Sequence, residues 1–374
     1  MNKSTLKALA LIAIALMTAS CSGKGGQVTE LDAAGATFPL PYYTEAFKAY
    51  EAQSGIHINY GAVGSGGGIR SLKDEVVHFA ATDAFLSDEE MAEMPRPVVH
   101  IPTCMGAVVI AYNCAEISQL NLTGEIIADI YLGKITRWND PAIAAINPDQ
   151  KLPDKEISPV YRSDGSGTTN VFSDYLTKVS TDWATQVGTG KSLKWPTGMA
   201  AKGNPGVAGV IAQTDGALGY VGSEYSFSLD IPTAMVQNQA GNFVLPSLES
   251  ISAAAAGEVA SDTRQMITNS SHPDAYPISC LTWLIAYQEM QYDDHSEAEA
   301  VETARLLNWM LSDEAQAITS QIHFAPLSAE MIAAAKAQLA KLTYGGKPID
   351  LTSAPKEEPP LYTRKTKRRL LRSL

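Results

Sequence analysis

The chain has 374 residues, of which 45% are hydrophobic, and a net charge of −12. This length exceeds that of one typical domain and suits two lobes that share a connection. Six basic residues lie in the last eleven positions, so residues 1–363 carry 22 basic and 40 acidic side chains. An acidic body of this kind excludes nucleic acid as the partner, because nucleic-acid-binding proteins need a basic face.

The first twenty residues have the pattern of an export signal. Lys3 and Lys7 form a positive region, residues 8–17 form an apolar core, and residues 18–20 offer a small-residue cleavage site. At about a dozen residues the apolar stretch is too short to be read as a membrane span. The sequence therefore predicts a signal peptide over residues 1–20 and a mature protein outside the cytoplasmic membrane.

Cys21 follows the signal directly and predicts a lipoprotein that is cleaved before this cysteine and acylated on it. Thr18 stands where a lipobox prefers an aliphatic residue, so ordinary soluble secretion stays open as the alternative. Residues 21–29 would then be a tether. The predicted location is the periplasm or the outer face of the cytoplasmic membrane, with a lipid anchor at Cys21.

Strand-like and helix-like segments alternate along the rest of the chain. Strands are predicted at 56–60, 77–82, 106–113, 157–161, 217–221 and 278–287. Helices are predicted at 41–53, 69–75, 124–132, 141–146, 169–179, 205–213, 297–311 and 328–341. Ser296 with Glu299 has the pattern of a capping box, and Asp140-Pro141 has the pattern of a helix start. This alternation predicts an α/β protein with a mostly parallel sheet.

Two extended runs, 102–113 and 278–287, are candidates for strands that cross between two lobes. They predict a discontinuous first lobe, 30–102 plus 284–350, and a second lobe, 103–283. After them, residues 351–374 combine prolines with a basic run and predict a disordered basic tail. Contact of this tail with anionic lipid is the alternative.

A small-residue turn at 165–168 is the most informative local feature. Arg162 precedes it and a helical pattern follows it, so the turn lies at a helix N-terminus, where free N–H groups and the positive dipole end attract anions. Arg162 adds a guanidinium fork that matches a tetrahedral oxyanion. Similar turns at 34–39 and 64–68 precede two further helices. Three such loops could converge on one small anion.

These loops belong to a longer set of matching stretches. They read AGATFP at 34–39, VGSGGG at 63–68, ATDAFLSDE at 81–89, DIYLGKITRWNDPAI at 129–143, YRSDGSGTT at 161–169, VGTGKSLKWPTG at 187–198 and GALGYV at 216–221. With them the chain resembles the substrate-binding proteins of Pst-type phosphate ABC transporters, from about Asp32 to Leu327. The resemblance implies a type II periplasmic-binding-protein fold, in which two α/β lobes are joined by two crossover strands and the ligand lies in the cleft.

The same resemblance implies which residues bind phosphate. They are Thr37, Phe38, Ser65, Asp83, Arg162, Ser166, Gly167 and Thr168. Gly66 stands where relatives often have a second serine, which leaves the ligand serine untouched. The implied partners are inorganic phosphate and the membrane permease subunits of an ABC transporter. A phosphate or oxyanion sensor of the same fold, without a transport role, is the alternative.

Asp83 is informative because a carboxylate beside an anion is repulsive, at about 4 kcal/mol for two charges 4 Å apart. Phosphate near neutral pH keeps a P–OH proton that Asp83 can accept, and sulfate does not. A turn cap is the other reading of Asp83. Asp164 either steadies Arg162 or favours the tight turn, and Phe38 is expected to bind through its backbone N–H while its ring packs.

The sequence predicts no enzyme, cofactor or metal site. Ser65 and Ser166 lack the Gly-x-Ser-x-Gly context of a hydrolase nucleophile, and the six histidines are scattered. Beyond Cys21, the three remaining cysteines have no metal-binding spacing. Cys104 and Cys114 lie at the two ends of one apolar run, some 30 Å apart if it is extended, so they cannot bond to each other. Together with Cys280 they are predicted to be buried free thiols.

Overall fold

The computed structural model describes residues 28–351. The predicted signal peptide, the lipidation site at Cys21, most of the tether and nearly all of the basic tail therefore lie outside the described residues. Within residues 28–351, no helix combines the length and the apolar character that a membrane crossing requires.

The described part of the chain alternates strands and helices, as the sequence predicts. The strands are β1 Glu30–Gly35, β2 His57–Ala62, β3 Phe79–Thr82, β4 Val98–Tyr112, β5 Asn121–Leu122, β6 Ser158–Arg162, β7 Met199–Ala201, β8 Ala217–Gly222, β9 Met235–Gln237, β10 Phe243–Val244, β11 Ser279–Tyr287, β12 Thr343–Tyr344 and β13 Lys347–Pro348. The helices are α1 Leu40–Ser54, α2 Ser65–Lys73, α3 Asp88–Ala92, α4 Gly124–Tyr131, α5 Pro141–Ala145, α6 Gly167–Val179, α7 Thr181–Gln186, α8 Gly203–Gln213, α9 Ser223–Phe227, α10 Leu248–Ala254, α11 Glu297–Trp309, α12 Asp313–Gln321 and α13 Ala329–Leu339.

Eight strands form one sheet in the order β2-β1-β3-β11-β4-β8-β6-β7. At one end, β1 is parallel to β2 and β3; at the other, β6 is parallel to β7 and β8. The central pairs β3–β11, β11–β4 and β4–β8 are antiparallel. The two central strands therefore run opposite to each other: β4 has the direction of β1, β2 and β3, and β11 has the direction of β6, β7 and β8.

Strand β4 divides this sheet into two halves. Its residues 98–107 pair with β11, and its residues 108–112 pair with β8. All fifteen residues of β4 are buried. We call the part built on β1, β2, β3 and β11 the first lobe, and the part built on β6, β7 and β8 the second lobe. The predicted two-lobed α/β architecture with two long extended connections is therefore present. The extended run predicted at 102–113 corresponds to β4, which begins earlier, at Val98.

The C-terminal helices return to the first lobe. Ala325 forms a β-bridge with Met105, and the hydroxyl of Tyr42 on α1 donates to the carbonyl oxygen of Ala315 on α12. Segments from both ends of the described chain are therefore in contact in this lobe. The numerical lobe boundaries themselves stay predictions.

Local capping signals explain several helix starts. Ser296 and Glu299 form the predicted capping box of α11, and Asp140 caps α5 with Pro141 at its first position. In contrast, β1 has no alternating apolar pattern that predicts a strand. It forms because β2 and β3 pair with it on both sides and bury Ala33 and Ala34.

The three described cysteines are free and buried, as predicted. Cys104 on β4 and Cys280 on β11 lie in the sheet, and burial raises the pKa of both thiols. Protonated thiols of this kind behave as small apolar side chains.

Candidate anion-binding site

The register of the sheet brings the predicted loops of the first lobe together. Gly35, the last residue of β1, pairs with Ala62 of β2 on one side and with Ala81 of β3 on the other. The loops that follow these three parallel strands therefore leave the sheet at one edge. They carry Thr37, Ser65 and Asp83, which are at most 5% exposed. Ligands of open α/β sheets bind at such carboxyl ends.

The second lobe repeats this arrangement. Arg162 ends β6 and pairs with Ala201 at the end of β7, while β8 flanks β6 on its other side. The loop after β6 leads into α6 and carries Ser166, Gly167 and Thr168. All eight residues predicted from the sequence are buried and lie on loops or element ends at this edge of the two lobes.

Arg162 is held by Asp164 in a two-pronged ion pair. Its Nε–H donates to Asp164 Oδ1 at 2.8 Å, and its Nη2–H donates to Oδ2 at 2.6 Å. The Gly203 N–H donates to the same Oδ1 at 2.9 Å. Burial alone would raise the pKa of Asp164, but the hydrogen bond and charge of Arg162 prevail and lower it. Of the two readings of Asp164, the structure thus shows the one in which it steadies Arg162.

The start of α6 has two free donors. Ser166 is the N-cap, and its Oγ accepts the Thr169 N–H at 3.0 Å. The backbone N–H of Ser166 is already used, because it donates to the Lys191 carbonyl oxygen at 2.8 Å. The first-turn N–H groups of Gly167 and Thr168 have no partner within the helix. An anion at this end would be bound by these two amides and by the positive end of the helix dipole.

Asp83 lies in the interior between the lobes and is 1% exposed. Its Oδ1 accepts the hydroxyl of Thr282 at 2.9 Å, and its Oδ2 accepts the hydroxyl of Thr168 at 3.4 Å. The turn after β3 is instead bridged by Thr82, whose Oγ1 accepts the Ala84 N–H at 3.1 Å. The carboxylate of Asp83 therefore points to hydroxyl groups of the cleft and leaves the turn to Thr82.

The electrostatics of Asp83 follow from its position. Burial raises its pKa to about 7, against the Thr282 hydrogen bond, the Arg162 charge and the Thr168 hydrogen bond, all of which lower it. A carboxyl group that titrates near neutral pH shares this range with the second proton of phosphate. It can therefore accept a proton from a ligand or donate one to it.

The ring of Phe38 packs, as predicted. It lies edge-on to Phe324 with the ring centroids 5.6 Å apart, and it is 1% exposed. Gly106 and Gly222 make room for the ring, because a methyl group at either position would lie within 3 Å of it.

The two lobes are in direct contact around the site. The Gly66 N–H donates to the carbonyl oxygen of Gly165 at 2.9 Å. At the rim, Lys191 Nζ donates to both carboxylate oxygens of Glu90 at 2.8 and 2.7 Å. The cleft is therefore closed, with backbone and charged contacts from one lobe to the other.

Three residues at the site were not predicted from the sequence: Thr282, which donates to Asp83, Asn204 and Tyr225. Asn204, at the start of α8, is 0% exposed and contacts both Thr37 and Thr168. Tyr225 on α9 donates its hydroxyl to the Thr37 carbonyl oxygen. The Gly-Asn-Pro helix start at 203–205 is a signal that could have pointed to Asn204. Nothing local marks Tyr225.

The arrangement favours binding over nucleophilic chemistry. The side-chain oxygen of each serine accepts a hydrogen bond from a backbone N–H group. Ser65 Oγ accepts from the Asp83 N–H at 3.3 Å, and Ser166 Oγ accepts from the Thr169 N–H. A nucleophilic serine needs a base as its hydrogen-bond partner, and these partners are amides.

Comparison with known proteins finds relatives over most of the chain. A family model described as "PBP superfamily domain" matches residues 21–314. The chain is 38% identical over 317 residues to the phosphate-binding protein PstS of Pasteurella multocida, covering 83% of this chain and 90% of that protein. It is 37% identical to the phosphate-binding protein PstS of Haemophilus influenzae, with coverages of 83% and 93%.

Solved structures show the same fold. The crystal structure of a DING protein superposes with a TM-score of 0.67 at 21% identity, covering 86% of this chain and 96% of that one. A high-affinity periplasmic phosphate-binding protein, PfluDING, solved with bound phosphate, gives a TM-score of 0.65 at 21% identity, with coverages of 88% and 100%. At such identities the likeness concerns the fold, and it extends over both lobes.

Proposed function

Because this chain belongs to the PstS family of phosphate-binding proteins, within the periplasmic-binding-protein superfamily, we propose that it binds one inorganic phosphate in the cleft between its lobes. The ligand residues are Thr37, Phe38, Ser65, Asp83, Arg162, Ser166, Gly167 and Thr168.

One observation carries this proposal furthest. Arg162 and Asp83, whose carboxyl group has a raised pKa, are both buried where the two closed lobes meet. Two hydroxyl donors and the N-terminus of α6 lie at the same place. An arginine with hydroxyl and amide donors matches the oxygens of any tetrahedral oxyanion. Asp83 adds selectivity, because it pairs with an oxyanion that shares a proton. Phosphate is such an ion near neutral pH, and sulfate is not.

We further propose that the protein delivers phosphate to the membrane permease of an ABC transporter. The relatives are named phosphate-binding proteins, and contact between the lobes gives a closed form that a permease can distinguish from an open one. Binding is proposed to involve no turnover, which agrees with serine oxygens that face amides. The protein acts outside the cytoplasmic membrane and is tethered there by a lipid on Cys21.

Isothermal titration calorimetry on the purified mature protein tests the binding. Phosphate is expected to bind at one site per chain, and sulfate at the same concentration is expected to bind at least ~100-fold more weakly. Arg162→Lys keeps the charge but loses the bidentate fork, so the affinity for phosphate should fall by about tenfold or more. Equal binding of phosphate and sulfate, or full affinity in Arg162→Lys, would contradict the proposal. Hydrolysis of a phosphoester that Ser166→Ala abolishes would contradict the absence of turnover.

A further inference from the structure

Asn204 links the two lobes through hydrogen bonds whose directions can be worked out. It lies at the second position of α8 in the second lobe, and its side chain is 0% exposed. It contacts Thr37 of the first lobe and Thr168 of the second. Both threonines are proposed phosphate ligands, and Asn204 itself is not.

The orientation of the carboxamide is determined by Gly222. The backbone N–H of Gly222 donates to Asn204 Oδ1 at 2.9 Å. Because an N–H group can only donate, the oxygen of the carboxamide must face Gly222. The NH₂ group therefore faces the threonines, and Nδ2 donates to Thr37 Oγ1 at 3.0 Å and to Thr168 Oγ1 at 3.1 Å.

These bonds determine what the threonine hydroxyls can do. A hydroxyl has two acceptor lone pairs and one proton. Thr37 Oγ1 accepts from Asn204 Nδ2 and from the backbone N–H of Asn204, each at 3.0 Å, so both of its lone pairs are used. Thr168 Oγ1 likewise accepts from Asn204 Nδ2 and, at 3.4 Å, from Arg162 Nη1. Each hydroxyl is left with its proton as the group that can donate. The Thr168 proton points to Asp83 Oδ2 at 3.4 Å, a long contact that an anion in the cleft would replace.

We propose that Asn204 is a positioning residue for phosphate: it commits the Thr37 and Thr168 hydroxyls to act as donors to the anion. Because Asn204 reaches Thr37 from the opposite lobe, this commitment of Thr37 is made only when the cleft closes. The inference rests on the proposed phosphate binding and assigns to a residue outside the ligand set a role in selecting anions over neutral ligands.

Asn204→Asp is the sharpest test because the two side chains have the same shape. Aspartate keeps the acceptor for the Gly222 N–H and replaces the NH₂ donor with an oxygen that only accepts. The two hydroxyl protons would then turn to the introduced carboxylate and away from the ligand. We expect the phosphate affinity near pH 8 to fall on the order of 100-fold or more, since bonds to a charged group are lost. Asn204→Ala, which leaves the hydroxyls free to rotate, should lose only about tenfold.

Which of these two variants binds phosphate more weakly distinguishes a positioning role of Asn204 from a packing role. If Asn204 merely filled space, the isosteric aspartate would bind better than alanine, which would overturn the inference. The ratio of wild-type to Asn204→Asp affinity should also shrink as the pH is lowered to about 5, because a protonated carboxyl group regains one donor. The charged or titratable groups nearby are Asp83, Arg162, Asp164 and Tyr225, and they are common to both proteins. A ratio that does not change with pH would count against the inference.

A double-mutant cycle with Thr37→Val separates proton orientation from simple charge repulsion. Repulsion between the introduced carboxylate and the anion would cost the same with or without the Thr37 hydroxyl. Orientation instead predicts that Asn204→Asp costs clearly less in the Thr37→Val background, and additive effects would overturn the inference.

Asn238 offers a matched control outside the site. It is also a buried asparagine whose Nδ2 donates twice, to the carbonyl oxygens of Pro273 at 2.7 Å and Ala275 at 3.1 Å. Asn238→Asp should lower the melting temperature and leave the phosphate affinity of the folded protein unchanged at every pH. A wild-type protein that does not bind phosphate would overturn the proposed function and the inference together. Normal phosphate binding by Asn204→Asp would overturn the inference alone.

Discussion

Gly167 of the second lobe lies directly against Ser65 of the first. A methyl group on the α-carbon of Gly167 would lie 2.6 Å from Ser65 Oγ and 2.7 Å from the backbone nitrogen of Asp83. Atoms cannot approach this closely without a shift, so the closed cleft requires a residue without a side chain at this position. The presence of glycine at the start of α6 is therefore explained by the closed state and not by helix formation.

Gly167→Ala should act as a steric wedge between the lobes. The phosphate affinity is expected to fall by about tenfold or more, because overpacking of this kind costs about 1–3 kcal/mol. The melting temperature without phosphate should change little, since each lobe keeps its own core. Gly209→Ala is the control: no atom lies within 4 Å of the added methyl group, so it should bind like the wild type. Calorimetric titration of both variants measures the effect. If Gly167→Ala and Gly209→Ala bind phosphate equally well, the lobes close less tightly in solution than in this structure.

Asp83→Asn tests the source of anion selectivity. The amide keeps the shape, accepts through its oxygen and also donates through its nitrogen, so it no longer repels a fully deprotonated oxyanion. Phosphate affinity should fall modestly, while sulfate should compete far better than in the wild type. Competition of sulfate against phosphate at neutral pH measures this. An unchanged preference in the variant would remove Asp83 as the discriminating residue.

The raised pKa of Asp83 also predicts a pH dependence of stability in the absence of ligand. Burial raises this pKa from 3.8 to about 7, so between these pH values the folded protein keeps a proton that the unfolded chain releases. The free energy of unfolding should therefore fall as the pH rises through this window, by up to about 1.4 kcal/mol per pH unit from this group. Asp83→Asn removes this contribution. Chemical denaturation of both proteins at about pH 5 and pH 7 should give a clearly flatter dependence for the variant, and parallel curves would contradict the assignment.

The ion pair between Glu90 and Lys191 should slow the release of phosphate. Lys191 in the second lobe is 15% exposed and contacts both oxygens of Glu90 in the first lobe. Lys191→Met should increase the dissociation rate by about three- to fivefold, with a larger effect at low salt, because a partly exposed pair contributes about 1 kcal/mol or less. Lys73→Met is the control, since Lys73 pairs with Glu93 within one lobe. Stopped-flow release kinetics that do not distinguish the two variants would show that this pair does not hold the cleft closed.

Membrane attachment is predicted to depend on Cys21. Cys21→Ser should move the protein from the membrane fraction to the soluble exported fraction, because a lipid chain on this residue is the proposed anchor. Mass spectrometry of the wild-type mature N-terminus provides an independent measurement. A mature chain that begins at another residue, or unchanged membrane association of the variant, would favour ordinary secretion.

Much of the chain's local structure was decided by residues close together in sequence. The turn at 165–168 indicates the start of α6, and Ser296 with Glu299 indicates the start of α11. The periodic apolar side chains predict the bounds of both helices to within a few residues, because capping and amphipathic packing depend on neighbours one to four positions away. The family resemblance added the proposed ligand residues, since it is carried by these same short loops.

Other features were decided only by the tertiary structure. The alanine-rich strand β1 forms because two strands from elsewhere pair with it. Burial raises the pKa of Asp83. The hydroxyl group that donates to its carboxylate belongs to Thr282, 199 residues away along the chain. Asn204 contacts Thr37 across 167 residues. Burial, pairing and hydrogen-bond direction in these cases depend on which distant segments meet, and no local pattern encodes that.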